Sequence, residues 1–411
     1  MESNLSEKDR KSLISNFSWL FCLKVAGYLF PLLTVPYLAR VIGVSGYGKI
    51  AFASAVTMWV MTITNWGFSY TATRDVARCR EDVAKVSDIY SDVLWSRLFV
   101  MVVCLSLLSL FPIFLPSIRE EMLLLFFSLL SVPGHVLFPD WFFQAMEKMK
   151  YITIFNFFIR LFFTAMVFLF VKEGSDYVLH PFFLSLGFIS SGILAQIIIV
   201  RKWHVKLRPF SFPRVVETLK KGADIFIAEF MPNLYNSFSQ MLLSHVVGYS
   251  ANGMFDAGNK FFMLAKQFFS LLSQTFFPVL SRNKNGHGIY AKLSIILSLI
   301  VSFLLFVGAP YLIGWFYTEE FSEAVGVLRV LAVSFPFLVL WDVYGVNGLV
   351  LYGRETKYRQ IVMWVSLSGF VLSFPLVYYS GFMGVACLLF LVRATTGVWT
   401  FMSAKKLTRR A

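Results

Sequence analysis

Twelve apolar runs, each long enough to cross a lipid bilayer as a helix, dominate the chain, and nothing else in it restricts the fold as strongly. A bilayer core about 30 Å thick needs about 20 apolar residues per helix. The runs fall near 17–39, 49–70, 94–115, 122–143, 151–171, 178–200, 223–247, 254–280, 290–315, 325–352, 360–379 and 382–403. In hydrocarbon every backbone N–H and C=O must be satisfied internally, so such runs become helices. Composition points the same way. Only 15% of the 411 residues are charged, whereas a soluble domain carries about 25%. A water-soluble body with 57% hydrophobic residues would expose large apolar patches. The expected fold is an all-α polytopic membrane protein with 12 transmembrane helices.

The net charge of +14 would suit nucleic acid if the basic residues formed a groove, but they sit in short stretches between apolar runs. No nucleic-acid partner is expected; anionic membrane lipids are. With the amino end in the cytosol, 26 Lys and Arg fall in inside segments, against four outside, Arg40, Lys49, Arg119 and Lys172. Basic residues concentrate on the cytosolic side, so both termini are expected there. One missed or invented span would destroy this alternation. The polar start MESNLSEKDRKSLISN is followed by an apolar run without a small-residue cleavage site, and that run is read as retained helix. The four cysteines (Cys22, Cys79, Cys104, Cys387) have no paired spacing, and the five histidines have no metal spacing. No metal and no cofactor are expected.

The stretch GVSGYGKIA, residues 43 to 51, contains G-x-G-x-x-A, a dinucleotide fingerprint only where a strand precedes it and a helix follows. Here it lies in a short turn between two spans, so it is read as a tight glycine turn closing a helical hairpin. That turn returns. GYSANG, residues 248 to 253, repeats the G-x-S-x-x-G spacing 205 positions on, and the Lys-Tyr pairs of EKMKY (147 to 151) and RETKY (354 to 358) lie 207 apart. Two echoes at nearly the same offset argue for two related halves of six spans, sharing one orientation and facing a central cavity, as in many transporters. The expected organisation is two pseudo-symmetric six-helix bundles, 1–200 and 222–411, joined by a basic cytosolic linker at 201–221 that contains RKWHVKLRPFSFPR.

The chain resembles the O-antigen (O-unit) flippases of bacterial lipopolysaccharide synthesis, in the polysaccharide transporter branch of the multidrug/oligosaccharidyl-lipid/polysaccharide superfamily. The carriers are K-V-A-G from Lys24, P-Y-L-A-R-V-I-G-V-S-G-Y-G from Pro36 to Gly48, N-W-G-F…A-T-R-D-V-A from Asn65 to Ala77, P-D-W-F-F-Q-A-M-E-K-M-K-Y from Pro139 to Tyr151, and F-F-P-V-L-S-R from Phe276 to Arg282. Where relatives often have an acidic residue before W/F-G-F and a Gly after F-F-Q, this chain has Asn65 and Ala145. The resemblance implies an inner-membrane protein that moves an undecaprenyl-diphosphate-linked oligosaccharide from the cytosolic to the periplasmic leaflet by alternating access. It implies as partners the lipid-linked oligosaccharide, an O-antigen polymerase and a chain-length regulator. A small-molecule exporter of the same superfamily is the nearest rival. A membrane-embedded O-antigen polymerase or ligase is the rival from another class, against which stands the shortness of every outside loop. No G-x-x-x-x-G-K-[ST] occurs, which argues against an ATPase.

Ionisable residues within membrane spans are functional candidates by default, since a charge at the bilayer centre costs about 2.5 to 3.5 kcal/mol on insertion scales. Lys24, Arg160 and Arg393 have no opposite charge at helical spacing and are the first candidates for holding a lipid diphosphate, with Lys260 and Lys266 beside them. Lys260 stands four residues after Asp256, so the pair can equally neutralise itself along one helix face. Arg97 and Arg329 are expected to snorkel to an interface. Glu229, Asp256 and Asp342 are candidate proton or cation coupling sites, whereas Asp140 and Asp224 are expected to be surface or capping groups. Amides such as Asn233, Asn236, Gln240, Asn259, Gln267, Gln274 and Asn347 either line a hydrated lumen or stitch helices together.

Overall fold

The chain is all-α, and the places where its helices break follow from local chemistry. The computed structural model describes residues 7–110, 119–282, 287–350 and 352–408; side chains of 7–26, 28–29, 31–32, 271–272, 274–282 and 407–408 lie outside that description. The first two apolar runs form α1 (Glu7–Asn65), broken only at Gly43, whose φ of 65° and ψ of 179° an L side chain would resist. The last two form α14 (Glu355–Thr408), broken in the same way at Gly381. At each break a single glycine replaces a loop.

Between them, α2 (Phe68–Ala77) follows a sharp turn at Trp66 and Gly67, both at positive φ. Asp82 caps α3 (Val83–Leu108) by accepting the Lys85 backbone N–H, satisfying one of the donors a helix start leaves free. The fourth run is divided into α4 (Met122–Leu129), α5 (Ser131–Leu137) and α6 (Asp140–Ala145). Pro139 explains the last break, because the residue before a proline is driven out of the helical region and Phe138 is extended. Then come α7 (Met149–Phe170), α8 (Leu179–Trp203), α9 (Phe212–Phe230), α10 (Ser237–Val246), α11 (Tyr249–Arg282), α12 (His287–Phe316) and α13 (Ala324–Trp341). A π-helix, Asp342–Val350, continues α13.

Eight helical stretches of the described residues are apolar and long enough to cross a membrane, and two of them, Leu33–Ala77 and Glu355–Lys406, have 45 and 52 residues. At 1.5 Å per residue those two are long enough for two crossings each. The run through α9 and α10 and helix α11 are more polar than these eight, and α11 shows why. It carries Asp256, Asn259, Lys260, Lys266 and Gln267 along its length. With these two, the described residues make twelve membrane-length passes, six up to Trp203 and six from Phe212. Tyr311, Trp315, Tyr378 and Tyr379 are 72 to 83% exposed near helix ends, as amphipathic rings at a membrane–water boundary are.

Two compact units result, Met1–Val41 with Val56–Glu229, and Ile42–Ala55 with Phe230–Ala411. The first packs around the P-D-W-F-F motif: Trp141, Phe142 and Phe143 are buried with Tyr90, Val136 and Ile199. Helix α9 belongs to this unit and begins inside the segment expected as linker. Trp66 stacks on Phe226 with centroids 4.0 Å apart and donates Nε1–H to the Leu219 carbonyl at 2.8 Å, which anchors α9 along its length. In the second unit Phe262, Phe269 and Phe335 form an edge-to-face cluster between α11 and α13.

Candidate functional site

Arg393, in the second arm of α14, lies inside the second unit and is only 4% exposed. Its Nη1 donates to the Ser334 hydroxyl of α13 at 2.9 Å, and its guanidinium carbon stands 4.0 Å from the centroid of the Phe262 ring of α11. A cation over a desolvated aromatic face gains about 2 kcal/mol, which offsets part of its dehydration. Lys266, one turn beyond Phe262 on α11, is near enough to interact electrostatically with Arg393. Neither is paired with a carboxylate among the described residues. The two cations thus form a positive locus on three packed helices.

Lys260 behaves differently. Its Nζ lies 3.4 Å from Asp256 Oδ2, so the i,i+4 pair neutralises itself. Asp256 interacts in turn with Tyr47 and Tyr317, whose hydroxyls are 3.3 Å apart. Asp342 opens the π-helix and accepts from Asn347 Nδ2 at 3.1 Å and from the Tyr290 hydroxyl at 3.4 Å; the same amide donates to Ser273 Oγ at 2.7 Å. Asn347 therefore ties three helical segments together, while Asn236 bonds within its own turn, to the Pro232 carbonyl at 2.9 Å. The wide turn of a π-helix recurs at functional sites, and here it delivers a carboxylate into a polar knot.

In the first unit, Arg160 of α7 is half-buried and donates from Nη1 to the Gly27 carbonyl of α1 at 3.2 Å. A Cβ on Gly27 would lie 3.6 Å from that nitrogen. No carboxylate pairs with Arg160 among the described residues. The side chain of Lys24, a turn earlier in α1, lies outside them. Glu229, at the end of α9, accepts from Asn65 Nδ2 at 3.4 Å, and Asn65 Oδ1 accepts from Ser69 at 3.2 Å. Of the eight candidates, the structure brings together Arg393 with Lys266 and Asp256 with Lys260.

Arg97 does not snorkel. It is 1% exposed in the core of the first unit, where Nη2 donates to the His135 carbonyl at 3.1 Å while Nε and Nη1 are buried without a hydrogen-bond partner among the described residues. Beside it Tyr90 donates to Gln196 at 2.7 Å, and Gln196 donates to the Leu137 carbonyl at 2.6 Å. Helical phase carries the signal that an interfacial reading overlooks. Arg97 falls seven residues after Tyr90 and four after Val93, on the buried face of α3.

The sequence profile of the family described as "Polysaccharide biosynthesis protein" matches residues 13–284, well over half of the chain. The chain belongs to the polysaccharide biosynthesis protein family. Two relatives, each called "Putative O-antigen transporter", share 28% of their residues with this family member. The one from Escherichia coli (strain K12) aligns over 378 residues, 90% of this chain and 91% of its own length. The one from Shigella dysenteriae aligns over 379, 90% and 94%. Among solved structures, the lipid II flippase MurJ in an inward closed conformation superposes with a TM-score of 0.72 at 13% identity, covering 94% of this chain and 87% of MurJ. An inward-facing multidrug resistance MATE family transporter of the MOP superfamily superposes at 0.65 and 12% identity, covering 94% and 97%. The family member therefore has the fold of membrane flippases and exporters, and it is a multi-pass membrane protein.

Proposed function

We propose that this chain is a flippase carrying an undecaprenyl-diphosphate-linked O-antigen oligosaccharide from the cytosolic to the periplasmic leaflet of the bacterial inner membrane, by alternating access of its two halves. The observation that carries the reading is the cations within membrane helices that have no carboxylate partner among the described residues, Arg393 with Lys266 in one unit and Arg160 in the other. Each costs free energy to insert, and an anionic cargo supplies what they lack. Facing phosphates are held best by guanidinium forks and ammonium groups. At an effective dielectric of 20 one such pair at 4 Å gains about 4 kcal/mol before desolvation. A few cations suffice for a diphosphate, and more would trap it. Family membership and the likeness to curated relatives called O-antigen transporters support the same reading.

Glu229, Asp256 and Asp342 are the proposed sites of coupling to a proton or cation gradient. An inside-negative potential favours outward movement of an anion by about 2.3 kcal/mol per charge per 100 mV. Polymerase and chain-length regulator are the proposed downstream partners. Deleting the gene should leave lipid-linked units in the cytosolic leaflet and abolish long-chain lipopolysaccharide. Arg160→Gln and Arg393→Gln should mimic the deletion at undiminished protein level, with Arg393→Lys partly active. Normal surface polysaccharide in those strains would count against the assignment.

A further inference from the structure

The two arms of α14 leave and return to the same end of the second unit, because the chain reverses at Gly381. Arg354 and Lys357 at its start therefore meet Lys406 at its end, around a cleft of about 840 Å³. Val398, Trp399 and Met402 form its apolar wall, and Trp399 and Met402 remain 38% and 53% exposed. The volume is that of a small-ligand site, and the lining combines a greasy trough with a basic rim. All three cations are exposed, and none has a salt-bridge partner among the described residues.

Four surface cations of the first unit, by contrast, are paired. Arg80 pairs with Glu147, Lys85 with Asp82, Arg208 with Asp88 and Lys221 with Glu217. Three like charges left unpaired around one trough repel one another unless an anion sits among them. Their exposure places them at the water-facing rim, where attraction is modest and exchange is fast, while the trough below offers room for a hydrocarbon chain. Basic pockets between helices at the cytosolic surface are suited to anionic lipid headgroups.

We propose that this cleft is a binding site for an anionic phospholipid of the cytosolic leaflet, its phosphate among Arg354, Lys357 and Lys406 and its acyl chain along Trp399 and Met402. None of the cations inside the bundles lines the cleft, and the site does not depend on which cargo the protein moves.

The test uses the purified full-length protein, delipidated in detergent, with dioleoyl phosphatidylglycerol, dioleoyl phosphatidylcholine or a polyprenyl diphosphate added and retention read by native mass spectrometry. Phosphatidylglycerol should be retained and phosphatidylcholine lost. In the triple variant Arg354→Gln, Lys357→Gln, Lys406→Gln retention should weaken about 100-fold, each basic group near an anionic surface contributing roughly a five-fold factor. A control neutralising Lys148, Lys220 and Lys292, exposed cations outside the cleft, should bind as the parent does. Phosphatidylglycerol brominated in its acyl chain should quench the parent more than Trp399→Phe. Equal retention of phosphatidylcholine, or equal weakening in the triple variant and the control, overturns the proposal. So does a polyprenyl diphosphate that displaces phosphatidylglycerol and is itself lost in the triple variant, since the cleft would then belong to the cargo. Monodisperse elution and an unchanged melting temperature of the triple variant keep misfolding separate from lost binding.

Discussion

Gly48 and Gly253, one from each of the two echoed glycine motifs and both helical, meet within the second unit at backbone contact. A Cβ on Gly48 would lie 1.7 Å from the Tyr249 carbonyl oxygen, and one on Gly253 would lie 2.4 Å from that of Val44. Asn252 Nδ2 donates to the Gly48 carbonyl at 3.3 Å, fixing the register of the crossing. In lipid, helices associate through close packing rather than through hydrophobic burial, so a missing side chain is what allows this approach.

Gly48→Ala and Gly253→Ala should each destabilise the protein by about 1 to 3 kcal/mol, because backbone cannot yield as a flexible side chain would. Gly314→Ala should be neutral or slightly stabilising, since a Cβ there meets nothing within 4 Å and alanine is the better helix former. Thermal midpoints from fluorescence-detected gel filtration compare the three.

Trp66 makes a stack and a hydrogen bond to α9, and the two are separable. Trp66→Phe keeps the stack on Phe226 and loses the bond to Leu219, a cost of about 0.5 to 1.5 kcal/mol. Trp66→Ala also loses an aromatic pair worth about 0.5 to 1.5 kcal/mol. Hydrogen exchange across residues 212–230 should therefore quicken in the order parent, Phe variant, Ala variant, and equal rates in all three would remove Trp66 as the anchor.

Arg97 holds a charge in the first unit's core with two nitrogens that find no hydrogen-bond partner among the described residues. Replacing such a group by an apolar side chain of similar volume is often neutral or stabilising. Arg97→Met is accordingly expected to keep or raise the melting temperature, and a fall of several degrees would show that the guanidinium is satisfied after all.

Asp82 lies outside the membrane runs and is held below the ordinary carboxylate range, first by the Lys85 backbone N–H and then by the Lys85 ammonium. A depressed folded-state value contributes stability that is present above the unfolded value, near pH 4, and is lost as the pH falls through the folded one. The first turn of α3 should fray on acidification below that point in the parent. Asp82→Asn, a cap that does not titrate, should show no such acid-dependent loss of protection by hydrogen exchange.

Much of this architecture is legible in the chain itself. Apolar length specifies membrane helices because hydrocarbon leaves the backbone no other way to satisfy its hydrogen bonds, whereas the echoed stretches GVSGYG and GYSANG, read as one in each half, fall together in the second unit. Asp256 and Lys260 were legible as a pair because i,i+4 spacing is local. What the sequence could not determine depends on which distant faces meet. Arg393 rests on Ser334 and Phe262, Asp342 is knotted to Tyr290 and Ser273 through Asn347, and Arg97 is buried rather than interfacial. A partnerless cation in a sequence has a known cost but no known neighbour, and only the packing of one helix against another supplies the hydroxyl, the ring or the carbonyl that decides where its charge is spent.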